Sequence, residues 1–202
     1  MKSIQNWLIA LIGFSLHVSA WAIGSPSTSF FIKGLYHPMM VPAHLIALFA
    51  LGLILGQQGW RICRIALPVF VLTLGAALIM TRYESAAWNA ELILLPLAAI
   101  TGTLVIFKWS LATLVPLVIT IIAAIIIGMD SSVPRIPGLQ PAKIYAHLLG
   151  SGVFASTLLL TIGGISLMLR HLLDGVILRI LGAWSTAGAI LVVTLLLVAV
   201  NP

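Results

Sequence analysis

His37 and His44 sit seven residues apart in Gly34-Leu35-Tyr36-His37-Pro38-Met39-Met40-Val41-Pro42-Ala43-His44, at the mouth of a long apolar run. Seven residues is two helical turns, so on one continuous helix both rings would share a face with Met40 between them. A His/Met/His face suits a borderline or soft transition metal. Pro38 and Pro42 offer the competing outcome, in which the stretch is not one continuous helix, His37 caps a helix start and His44 packs. Glu91 is the third candidate, an acid near the outer end of a later apolar run. Acids held in a membrane are costly and tend to mark pathways. The other reading of Glu91 is an interfacial carboxylate bonded to Asn89, Trp88 or a helix end. His147 lies near the same depth. It is a further candidate donor, with an interfacial packing role beside Tyr145 as its alternative.

The elements that must position these groups follow from composition. The chain has 202 residues, of which 61% are hydrophobic and 7% charged, with a mean hydropathy of +1.21. That balance excludes a soluble domain and defines an all-α, polytopic membrane helix bundle. The net charge of +6 comes from basic residues scattered at the ends of apolar runs, where they orient helices rather than bind nucleic acid. Cys63, the single cysteine, excludes an internal disulfide and a multi-cysteine metal site. It reads as a small helix residue near the cytoplasmic face.

Residues 1–22 carry a basic start at Lys2, an apolar middle and Ala20-Trp21-Ala22. They read as a secretory signal peptide cleaved after Ala22, with an uncleaved first helix as the alternative. Residues 23–202 then form a single six-helix transmembrane domain. Its spans are Pro38–Gln57, Cys63–Met80, Ala87–Phe107, Trp109–Met129, Ala142–Leu169 and Val176–Val200, each close to the roughly 20 residues a bilayer needs. Pro68, Pro96 and Pro116 fall inside spans, and Gly52-Leu53-Ile54-Leu55-Gly56 is a GxxxG helix-packing face.

With the start inside, Lys2, Arg61, Arg64, Lys108, Arg170 and Arg179 are cytoplasmic, while Lys33, Arg82, Arg135 and Lys143 are external. His37, His44, Glu84, Glu91, Asp130 and His147 then fall near the external ends of their spans. Glu91 and His44 are expected more than a turn inside the apolar layer. His171 and Asp174 lie in a solvated inner loop, and the proline-rich stretch from Asp130 to Gln140 is an external connector. No P-loop, HExxH pair or defensible Ser/His/Asp spacing supports an enzyme.

These residues resemble the HupE/UreJ family of hydrogenase and urease accessory membrane proteins, regarded as nickel or cobalt permeases. The resemblance covers nearly the whole length. The family's first-helix motif, His-Pro-x-x-Gly-x-Asp-His followed by Leu, is similar to His37-Pro38 through His44-Leu45, and Ala90-Glu91-Leu92 resembles a glutamate that the family carries. Val41 replaces the motif's glycine, Ala43 its aspartate, and Thr161 stands where a later histidine is expected. A His-rich start and a His- and Glu-containing loop are also absent.

The resemblance implies a bacterial inner-membrane protein, and the charge-derived topology with a cleaved signal puts both mature termini in the periplasm. The implied protein would admit Ni2+ or Co2+ as cargo at His37, His44 and Glu91, with no tightly bound cofactor; Met40 and His147, read from spacing and depth, are further candidate donors. Its partners would be the lipid bilayer, the metal and subunits of a membrane complex. The rival expectation is a non-transporting scaffold or accessory subunit that has lost part of the site.

Overall fold

A computed structural model describes residues 26–81, 89–132 and 140–200. The proposed signal peptide, Glu84, and the connector beyond Ser132 up to Leu139 lie outside the described residues. Among the described residues there are seven α-helices and no strand. They are α1 (Pro26–Met40), α2 (Pro42–Gln58), α3 (Trp60–Met80), α4 (Glu91–Phe107), α5 (Leu114–Asp130), α6 (Pro141–Leu169) and α7 (Val176–Val200), with a 3-10 turn, Leu172–Gly175, between the last two.

The expected span from Pro38 is not one straight helix. The chain leaves the helical region at Val41 (φ −102°, ψ 103°), and α1 and α2 meet at a bend of 75°. Pro42 is the cause: a proline disfavours helical backbone at the residue before it and cannot donate to the preceding turn. The break changes how the histidines meet, because His37 and His44 belong to different helices and the shared-face geometry is not realised. Each of the other expected spans corresponds to one helix, the last with its expected bounds Val176–Val200 and the others with shifted starts. The third expected span, placed from Ala87, becomes helical at Glu91, and the fourth begins at Leu114 rather than Trp109.

Three helices, α3, α6 and α7, are long and apolar enough to cross a membrane, and the bent α1–α2 pair raises the number to four. The apolar helices α4 and α5 have 17 residues each, the lower edge of what a bilayer-crossing helix needs.

Helix α2 is the centre of the bundle. It contacts all six other helices, and an unbroken run from Ala50 to Gly56 is buried. A helix apolar on every side belongs inside a bundle. Its GxxxG pair faces α6: a Cβ on Gly52 would strike Ile162, and one on Gly56 would strike Ser166 and, at 2.8 Å, the Gly163 carbonyl. Small residues there let two backbones approach closely, the usual device where lipid supplies no hydrophobic drive between helices. The same device joins α1 to α6. A Cβ on Gly34 would collide with the His147 carbonyl, and one on Gly150 with that of Phe31.

Helices α3 and α5 form a second pair, and α4 and α7 a third. The junction between α2 and α3 turns at Gly59 (φ +105°), a backbone region that side chains disfavour. Leu72, Leu114, Trp184 and Val198 point outward into open space, as lipid-facing residues do.

Polar groups gather at the two ends of this bundle. At one end, Lys108 Nζ donates to the Asp174 carbonyl at 2.7 Å, Arg179 Nε to Ile106 at 2.9 Å, and Gln58 Nε2 to Trp109 at 2.8 Å. Cys63 is buried nearby, its thiol donating to the Leu55 carbonyl. Exposed His171 accepts from Arg170 Nε at 2.8 Å. The opposite end holds three histidines.

Candidate metal site

Three elements bring the histidines together. His37 lies one turn from the end of α1, His44 in the first turn of α2, and His147 in the second turn of α6. The close approach of Gly34 to the His147 backbone sets α1 against α6, so His37, three residues further on, meets His147. The bend at Val41 then folds α2 back so that His44 reaches His37 from the other side. His37 is the middle ring: its centroid is 6.1 Å from that of His44 and 5.6 Å from that of His147.

A fourth group completes the cluster. Asp130, the last residue of α5, places Oδ2 3.0 Å from His44 Nε2, with His44 fully buried. The approach is close, but it lacks the alignment of a hydrogen bond, since both ring nitrogens of His44 remain without a bonded partner. Two hydroxyl contacts hold this corner. Ser151 Oγ donates to Ser131 Oγ at 3.1 Å, tying the residue after Asp130 to α6 one turn beyond His147. Thr81 Oγ1 donates to the Gly128 carbonyl at 3.0 Å, tying the end of α3 to α5.

The electrostatics are unusual for packing histidines. His37 Nδ1, both nitrogens of His44 and His147 Nδ1 are buried without hydrogen-bond partners. Each such group costs about 1–3 kcal/mol relative to a satisfied one, so the cluster is an expensive arrangement for a purely structural one. Neutral imidazole nitrogen is a ligand for nickel, copper, zinc or iron. The donors are not converged, however: among the described residues, no group of three His, Cys, Asp or Glu side chains could hold a metal ion as they stand.

The remaining candidates stand apart. Glu91 is half-buried at the first position of α4. It therefore lies at a helix N-terminus, where the helix dipole favours a carboxylate, rather than more than a turn inside as expected. No ion pair or ring contact joins it to the histidines among the described residues. Met40 ends α1 and is 76% exposed, and the break at Val41 puts it on a different helix from His44. Thr161 is exposed and bonds back to the Thr157 carbonyl at 2.8 Å. Asp130 was not expected at the site. Its signal was its place as the acid ending an apolar run, one of only four acids in the chain.

A helical bundle with membrane-length apolar helices defines a polytopic membrane protein, here with a histidine cluster at one end. The chain belongs to the HupE / UreJ protein family, whose model matches residues 9–193. No curated protein and no solved structure matches it.

Proposed function

We propose that the protein is a permease for a divalent transition metal of the nickel and cobalt class, and that the histidine end is its outer mouth. The observation that carries this reading is the set of buried, unpartnered imidazole nitrogens contributed by α1, α2 and α6. His37 and His44 are the principal donors, His147 is a third, and Glu91 is an acid on the approach to the site. No nucleotide-binding motif is present in the sequence, so transport is facilitated or ion-coupled.

In this reading the chain lies in a bacterial inner membrane, with α4 and α5 also spanning it and the histidine end periplasmic. The end carrying Lys108, Arg170 and Arg179 then faces the cytoplasm, as the positive-inside rule requires. The test is flux: nickel or cobalt should cross a vesicle membrane faster with the protein present, and His44→Ala should remove the gain.

The second reading is a non-transporting scaffold or accessory subunit. The unconverged donors and two cations at the mouth favour it. Lys33 Nζ and Lys143 Nζ lie 5.2 and 5.6 Å from the centre of the Phe30 ring, and their charges oppose the arrival of a metal cation. A protein that binds metal without moving it would fit this second role.

A further inference from the structure

We infer that Asp130 is the positioning residue of the metal site: its carboxylate holds His44 through Nε2 and leaves Nδ1 as the metal-binding nitrogen. The inference rests on the permease reading of the same cluster and adds to it a residue, a role and a choice between two ring nitrogens.

The argument starts from what a metal-binding imidazole needs. One nitrogen must present a lone pair to the metal. The other, protonated, is almost always held by a carboxylate, carbonyl or water, which fixes the tautomer and raises the basicity of the donor. His44 has both halves of that arrangement. Nε2 lies 3.0 Å from Asp130 Oδ2, within the distance of an N–H···O contact, and the ring must rotate to align it. Nδ1 is buried and has no partner.

His37 and His147 each add another buried, unpartnered Nδ1. Two imidazoles on one ion have centroids about 5–6 Å apart, once the ring radius is added to a metal–nitrogen distance of about 2.0–2.1 Å. The observed separations of 6.1 and 5.6 Å are close to that range, and the rings must turn for their nitrogens to converge. The carboxylate also offsets the charge of a cation in a poorly solvated place.

Asp130 reaches His44 from α5, an element that contributes no histidine. Its position is fixed through the Ser131–Ser151 contact to α6 and the Thr81–Gly128 contact to α3. The carboxylate thus couples the metal-binding ring of the central helix to the α3–α5 pair.

Two measurements on the full-length chain in lipid nanodiscs test this. In the first, Ni2+, Co2+ and Zn2+ are titrated calorimetrically into wild type, Asp130→Asn and Asp130→Glu, with thermal melting of each metal-free protein in parallel. Asp130→Asn should weaken affinity about 10- to 100-fold, and Asp130→Glu should recover part of the loss. Unchanged affinity in Asp130→Asn would overturn the inference and leave the permease reading intact. So would a fall in metal-free melting temperature with affinity preserved, because Asp130 would then only clamp α5 to α2. An absence of heat from wild type with all three metals would overturn both.

The second measurement needs no variant. Nitrogen NMR of histidine-labelled, Zn2+-loaded wild type should show His44 bound through Nδ1 and protonated at Nε2. Metal on Nε2 would contradict the role given to Asp130.

Discussion

At the scale of single residues, the cluster turns on what surrounds each imidazole. His44 is fully buried beside one carboxylate, while His37 bridges it to His147. Removing His44 takes away the ring that the central helix supplies. His44→Ala should therefore weaken nickel binding by at least the 10- to 100-fold or so seen when a supporting partner is lost. Ala43, buried next to His44, stands where the family motif has an acid. Ala43→Asp should tighten nickel binding if the site is a depleted version of the family's. Calorimetric titration of the two variants beside wild type reads both effects, and equal, negligible heats in all three would remove the metal site from the account.

The residue types were legible in the chain: His37, His44 and His147 all lie at one end, as their sequence depth implied. Asp130 was not legible as their partner. A contact between residues 44 and 130 depends on how α2 and α5 pack, and local spacing carries no information about that.

At the scale of elements, the site depends on two devices. One is the break at Val41–Pro42, which replaces a shared helix face with an elbow of 75°. Both prolines were visible in the sequence, but their consequence was not settled by them: Pro38 is accommodated inside α1, whereas Pro42 starts α2. The other device is the close approach of α1 to α6, which only glycine at positions 34 and 150 permits.

Gly34→Ala should push α1 off α6 and separate His37 from His147. The expected stability loss is about 1–3 kcal/mol, the usual cost of overpacking. A drop in melting temperature together with weaker metal binding would be the signature, whereas wild-type values for both would show that α1 is not held by this contact. The GxxxG pair in α2 was legible as a packing face and does pack, against α6. Glu91 shows the opposite limit. Its apolar surroundings suggested depth, but the helix begins at Glu91 itself, so the carboxylate sits at an end.

At the scale of the whole molecule, composition alone led to an all-helical membrane protein, because a chain 61% hydrophobic has no polar surface to present to water on all sides. The number of crossings was less legible. Hydropathy marks apolar runs, but helix length depends on where caps and turns fall, and α4 and α5 come out at 17 residues each. The division of polar groups is clear: His37, His44, His147 and Asp130 occupy one end, and Lys108, Arg170, His171 and Arg179 the other. A single cysteine placed at Ser132, in a Cys63-free background, should therefore react with an impermeant reagent added to intact cells from the periplasmic side, and one at Gln58 should be protected. The reverse pattern would invert the orientation.

The claim that the molecule moves a metal is tested most directly by flux into sealed proteoliposomes containing a metal-sensitive dye. The account predicts saturable Ni2+ or Co2+ uptake by wild type that falls to the protein-free rate in His44→Ala. Wild-type vesicles no faster than protein-free ones, with metal binding to the same protein intact, would contradict it and leave the scaffold reading.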